Sequence, residues 1–162
     1  MLNIKKKIII SWTLVILWCC LIFFLSSMDT SESNSKSMKT IESTIEITNK
    51  TGITDKHLSE GKVKQVTKKL NKPLRKIAHA SEYFILTILL IIAFINSDLC
   101  RKRIYLIAII VCFLYACTDE YHQTFINGRT GQLIDVLIDI SGGLISCIIM
   151  FIRNNFKKVK IG

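Results

Sequence analysis

Residues 133–152, LIDVLIDISGGLISCIIMFI, decide the fold class. The run is long enough to cross the hydrocarbon of a bilayer, which takes roughly 20 mostly apolar residues in a helix. Its ionisable members are Asp135 and Asp139. They stand at i and i+4 on one helical face, and Gly142 and Ser146 continue that stripe. Three further apolar blocks precede this one in the chain, at 8–25, 77–95 and 104–116, each rich in Ile, Leu, Val and Phe. The block at 104 reaches spanning length by carrying Thr118, Asp119 and Glu120 into the membrane boundary.

Backbone polar groups in lipid must be satisfied inside their own segment, so these blocks are expected to be helices. Half of the residues are hydrophobic and only 21% are charged, and the single proline and few glycines argue against a loop-rich or disordered chain. Mean hydropathy is +0.40. The expectation is an all-α membrane protein, a four-transmembrane-helix bundle in the cell membrane with cytoplasmic N- and C-termini. Residues 1–27 read as an N-terminal transmembrane anchor and 28–74 as an extracytoplasmic loop. Residues 75–153 read as a three-helix core with spans at 77–95, 104–120 and 133–152, and 154–162 as a basic cytoplasmic tail.

The first block has a rival reading as a cleavable signal peptide, with Lys5, Lys6 and Lys7 as its basic start and Ser26 and Ser27 near a cleavage site. Its apolar stretch exceeds the roughly 7–15 residues of a signal-peptide core, which favours a retained anchor. Orientation follows from Lys and Arg in short flanks. Lys5 to Lys7, the turn Arg101, Lys102 and Arg103, and the tail with Arg153, Lys157, Lys158 and Lys160 fall on one side of a four-span arrangement. That side is expected to be cytoplasmic. Lys68, Lys69, Lys72, Arg75 and Lys76 pull the other way, at the outer end of the second span.

The net charge of +10 would suggest nucleic acid in a soluble protein. Here basic residues flank spans, and no nucleic-acid motif is present. Six cysteines, five of them within or beside apolar blocks and none in a C-x-x-C pair, read as small buried hydrophobes without a disulfide framework. In the outer segment Met38, Ile41 and Ile45 share one helical face, as do Val63, Val66 and Leu70. The second set could lie on an anionic membrane surface or in a solvated loop.

The polar residues converge. His79 and Glu82 share a face of the second span; Asp119, Glu120, His122 and Gln123 end the third; Asp135 and Asp139 begin the fourth; Arg129 sits in the turn between the last two. All fall near one membrane face. A charge at the bilayer centre costs about 2.5–3.5 kcal/mol even on insertion scales, so these side chains must face the bundle interior or a wet cavity. The helix dipole alone accounts for Asp135. It disfavours Asp119 and Glu120 at a helix C-terminus, and an Asp119–Arg129 clamp is the simplest compensation. Tyr83, Tyr115 and Phe125 read as interface aromatics; Ser141, Gly142, Gly143 and Ser146 read as close-packing positions. The carboxylates suit magnesium, calcium or manganese, but no ligand spacing of a known motif appears, and no cofactor is predicted.

Two motifs resemble the VanZ-like family, named for a teicoplanin-resistance membrane protein. Arg75-Lys76-Ile77-Ala78-His79-Ala80-Ser81-Glu82-Tyr83 is similar to its K-x-A-H-F-x-E-Y segment. Asp119-Glu120-Tyr121-His122-Gln123-Thr124-Phe125, continuing through Gly128-Arg129 to Asp135-Val136, Asp139 and Gly142, resembles its D-E-x-x-Q-x-F-x-x-x-R, D-V and D-x-x-G segments. The Ser26-Ser27 pair fits as well. Ala80 replaces a frequent Phe, and Asn127 a frequent Pro. The resemblance implies motif residues His79, Glu82, Asp119, Glu120, Gln123, Arg129, Asp135 and Asp139, and a role in the cell envelope linked to teicoplanin-type tolerance.

Ligand-binding candidates are therefore those eight residues and His122. The expected partners are the bilayer and an amphiphilic or lipid-linked ligand at the outer leaflet. A metal-assisted hydrolase or transferase acting on lipid headgroups, and a structural partner subunit, are the rival readings. Reporter fusions at residue 102 and after residue 162 are expected to report a cytoplasmic location, and a fusion at residue 55 an external one. The reverse pattern would invert the proposed sidedness.

Overall fold

A computed structural model describes residues 3–28, 30–50, 60–99 and 103–159. Within them the chain forms five helices: α1 (Ile4–Ser26), α2 (Thr30–Lys50), α3 (Glu60–Asn96), α4 (Ile104–Gln123) and α5 (Leu133–Val159). No strand occurs among the described residues. Four helices, all but α2, are long and apolar enough to cross a membrane. Their outward faces carry Leu14, Leu17, Phe24, Leu114, Leu137 and Ile148, all exposed. Apolar faces of that extent belong against lipid, since water tolerates only small apolar patches. The fold is that of a membrane protein.

The spans alternate in direction. Trp12 Nε1 donates to Ser97 Oγ at 3.1 Å, and Trp18 Nε1 to the Glu82 carbonyl at 2.9 Å, so α1 runs antiparallel to α3. Tyr105 Oη and Asn154 Nδ2 meet at 2.9 Å, where the start of α4 faces the end of α5. Lys76 pairs with Asp135 near the start of α5, so α3 and α5 run in parallel. The start of α1 and the end of α5 therefore share one end of the bundle, and the acids lie at the other.

The core explains why α3 is central: it packs against all four other helices, most extensively against α5. It contributes Leu86, Leu90, Ile91 and Phe94, while α4 adds the row Ile104, Ala108, Cys112 and Ala116. That row repeats every four residues and so stays near one face, and Glu120 continues it. Small residues let α4 approach, which is how helices associate where lipid is as apolar as the core.

The closest approach is between α5 and α3. A Cβ built on Gly142 would collide with the Ala80 carbonyl, and one on Gly143 would lie 2.8 Å from Thr87 Oγ1. The expected close-packing role of these glycines is what the structure contains, and Ser146 on the same stripe is fully buried. Ala80 meets Gly142 with its backbone.

Three expectations need correction. Tyr83 is no interface aromatic; it is fully buried in the core. Cys112 and Cys147 are buried as expected, but Cys20 faces outward. Residues 30–50 and 60–76 are helical, in keeping with the shared faces read there, but the span expected at 77–95 is the end of a longer helix. At about 1.5 Å per residue α3 is about 55 Å long, against about 30 Å of hydrocarbon. Its first half therefore projects beyond the apolar layer, where α2 packs on it. The Met38, Ile41 and Ile45 face of α2 is its inward face, with Ile41 buried, but α3 answers with Thr67 and Asn71 rather than Leu70, which is exposed. Cys100, Arg101, Lys102 and Lys160, and the side chains of Lys62, Val63, Lys64, Lys157 and Lys158, lie outside the described residues.

Replacing Gly142 by Leu sets a branched side chain against α3 backbone, which has no rotamer with which to yield. The expected cost is about 1–3 kcal/mol or loss of folded protein, read as unfolding temperature in detergent. Ile148→Ala, on the outward face, should stay within about 0.5 kcal/mol. Equal stability of both variants would refute the close approach.

Candidate functional site

The carboxylates at the C-terminal end of α4 are compensated in two directions. Asp119 is 3% exposed, accepts from Ser26 Oγ at 2.6 Å through Oδ1, and accepts from Gln123 Nε2 at 3.1 Å through Oδ2. Gln123 Oε1 in turn accepts from Arg129 Nη1 at 3.0 Å. The expected Asp119–Arg129 clamp is thus a relay with Gln123 between the charges. Gln123 suits the position because its amide donates to one partner while its carbonyl accepts from the other. Glu120 Oε1 accepts from the Gln132 backbone N–H at 2.7 Å, immediately before α5 begins. It caps that helix from another element, and the helix dipole favours the anion there.

The stripe Tyr115, Asp119 and His122 is the α1-facing side of α4. Tyr115 Oη donates to the Cys19 carbonyl at 2.6 Å; His122 Nε2 lies 3.1 Å from Ser27 Oγ, and its ring stacks on Phe23 at 4.4 Å. These contacts pin α1 to α4 by polar groups. His122 accordingly stands apart from the other candidates.

Arg129 is aimed by the turn after α4. Its N–H donates to the Ile126 carbonyl at 3.1 Å, and Gly128 within that turn has φ 76°, a conformation open to glycine at little cost. Burial lowers the guanidinium from its ordinary value, nearby Arg75 pushes the same way, and Asp119, Glu120 and Glu82 oppose. Arginine nevertheless keeps its proton in proteins.

Across from this turn, Lys72, Arg75, Lys76 and His79 form an i, i+3, i+4, i+7 stripe on α3. A cavity of about 410 Å³ lies between that stripe, the turn and the start of α5. Glu120, Gln123, Asp135 and Asp139 line it opposite the cations. Lys76 Nζ reaches Asp135 Oδ1 at 2.6 Å across its mouth, while Asp139 is 2% exposed and within electrostatic reach of His79. A second cavity of about 290 Å³ adjoins on the α1 and α2 side, lined by Leu25, Met28, Leu74 and Ala78 together with Glu82. Arg75, His79 and Arg129 border both chambers.

His79 Nδ1 lies 3.2 Å from Glu82 Oε2, an ion-pair separation without hydrogen-bond alignment. Those two atoms, Tyr83 Oη and Arg129 Nε are buried without a hydrogen-bond partner among the described residues. Each such group carries a desolvation penalty of about 1–3 kcal/mol. Among the described residues no three His, Cys, Asp or Glu side chains gather as metal ligands would.

Residues 11–154 match the VanZ/LLP1 family. The chain belongs to that family. No curated protein and no solved structure matches it. Of the candidates in this VanZ/LLP1 protein, His79, Glu120, Gln123, Arg129, Asp135 and Asp139 line the larger chamber, Glu82 lines the smaller, and Asp119 lies behind both in contact with Ser26. Sequence reasoning took Lys72, Arg75 and Lys76 as topology signals and overlooked Gln132. The helical spacing of the α3 cations up to His79 was the signal available for the first three; nothing local marks Gln132.

The relay predicts coupling between distant residues. Ser26→Ala is expected to cost about 1.5–3 kcal/mol, the range for a hydrogen bond to a charged group. In an Asp119→Ala background the same change should cost little, as measured by a double-mutant cycle on thermal unfolding. An additive pair would refute the Ser26–Asp119 hydrogen bond.

Proposed function

We propose that this VanZ/LLP1 protein engages the polar group of an amphiphilic or lipid-linked ligand at the outer leaflet of the cell membrane, and thereby contributes to envelope function and tolerance of teicoplanin-type glycopeptides. The observation that carries the reading is the buried Arg129 Nε, without a hydrogen-bond partner among the described residues, beside the buried His79–Glu82 ion pair, on side chains that border the two chambers. Buried polar groups are normally satisfied, and exceptions at a cavity wall point to a polar guest.

Sidedness follows from the flanking charges. Lys5, Lys6, Lys7 and Arg153 lie at the end of the bundle away from the chambers, and the positive-inside rule sets that end in the cytoplasm. The chambers then open outward. An amphiphile reaches them with its chain in the bilayer and its polar group among the α3 cations and the α5 acids. Withdrawing such a molecule from the surface would lessen an antibiotic's access to membrane-linked wall precursors.

The test is susceptibility of a sensitive bacterial strain expressing the protein. Wild type should raise the inhibitory concentration of a teicoplanin-type glycopeptide, and Arg129→Ala and Glu82→Gln should each lose most of that increment at equal membrane abundance. Full protection by both variants would overturn the reading.

A further inference from the structure

The two chambers differ in lining and share one wall. On the larger side Glu120, Asp135 and Asp139 stand with Lys72 and Lys76; on the smaller side Leu25, Met28, Leu74 and Ala78 stand with Lys36, Thr40 and Glu82; between them are Arg75, His79 and Arg129. A space with an apolar wall, a cationic partition and a polar space that carries three acids thus follow one another. A guest that satisfies all three needs a chain, an anion with substituents on both sides, and a group rich in hydrogen-bond donors.

A fatty-acid carboxylate meets only the first two conditions, because it ends its molecule and leaves nothing for the acidic space. A neutral glycolipid meets the first and third but brings no anion to the partition. A phosphodiester meets all three. It is a link between two substituents, and its oxygens accept from guanidinium groups with charge assistance. Arg75 and Arg129 come from different elements yet are close enough to repel each other, and an anion between them relieves that repulsion. Arg129 holds Gln123 with one terminal nitrogen, while its buried Nε has no hydrogen-bond acceptor among the described residues.

We propose that the ligand is a phosphodiester amphiphile: its phosphate at the partition of Arg75, His79 and Arg129, its chain in the smaller chamber, and its hydroxyl- or amine-bearing headgroup against Glu120, Asp135 and Asp139. This rests on the amphiphile reading above and narrows it to one class. The headgroup donates to carboxylates that are already held in place, Glu120 by Gln132 and Asp135 by Lys76. Ala78, exposed on α3, lines the chain's side and leaves room that a larger side chain would take.

The test titrates the full chain in maltoside micelles with dodecylphosphoglycerol, its phosphate-free analogue dodecylglycerol, the hydroxyl-free diester dodecyl methyl phosphate, and chain-free glycerol phosphate. Dodecylphosphoglycerol is expected to bind saturably and about tenfold or more tightly than dodecylglycerol, the factor for one charge-assisted hydrogen-bonded contact. Arg129→Ala should erase that preference. Ala78→Phe should erase the advantage of dodecylphosphoglycerol over glycerol phosphate while keeping its unfolding temperature. Equal binding of the two dodecyl glycerol compounds would overturn the phosphate assignment and leave the amphiphile reading standing. Equal binding of glycerol phosphate would remove the chain from the smaller chamber, and equal binding of dodecyl methyl phosphate would remove the headgroup from the larger. Failure of wild type to bind any amphiphile would overturn both this proposal and the reading beneath it.

Discussion

The backbone of α5 at Gly142 lies against that of α3 at Ala80, and the remaining site geometry depends on this approach. In a bilayer no hydrophobic force drives helices together, so packing of small residues has to do so. The contact brings the stripe Asp135, Asp139, Gly142 and Ser146 onto α3. About one turn toward the polar end the same register buries Asp139 within electrostatic reach of His79, and about two turns along it sets Asp135 on Lys76. A wider separation would admit lipid beside those acids, at a cost of about 2.5–3.5 kcal/mol per charge near the bilayer centre.

Charge compensation is distributed rather than paired. Asp119 takes its hydrogen bonds from Ser26 and Gln123, Glu120 from the backbone before α5, and Asp135 from a lysine of α3. Each acid thereby ties two elements together, and Gln123 stands between Asp119 and Arg129 in place of a direct pair. Arg129 has Nη1 anchored on Gln123, its buried Nε has no acceptor among the described residues, and the residue borders both chambers. Neighbouring residues thus take different places: Asp119 and His122 fasten α1 to α4, while Glu120, Gln123 and Asp139 border the chamber.

The projecting half of α3 gives the site its second wall. Because one helix continues from the apolar layer into the α2 pair, Lys72, Arg75 and Lys76 are carried on the same rigid rod as His79 and Glu82. Their spacing along the helix is therefore set relative to the acids below. Lys36 and Thr40 of α2, with Met28 just before it, help line the smaller chamber, which makes this helix part of the site's enclosure as well as of the fold.

Hydropathy in blocks was enough to read the number of spans, their helical nature and the polar end of each, because lipid imposes a length and a backbone rule that show in one dimension. The stripes Asp135–Gly142 on α5 and Tyr115–His122 on α4 were equally legible, since helical period alone places residues on a face. Which helix each face meets was not legible. Tyr83 went to the core, and Gln123 came between Asp119 and Arg129. Glu120 found a backbone N–H twelve residues on, and Ser26 found Asp119 from the other end of the chain. Partners of that kind depend on how far helices slide and rotate against one another, and this is set by small-residue contacts such as Gly142 on Ala80. Sequence determined what each helix offers; tertiary packing alone decided what each offer meets.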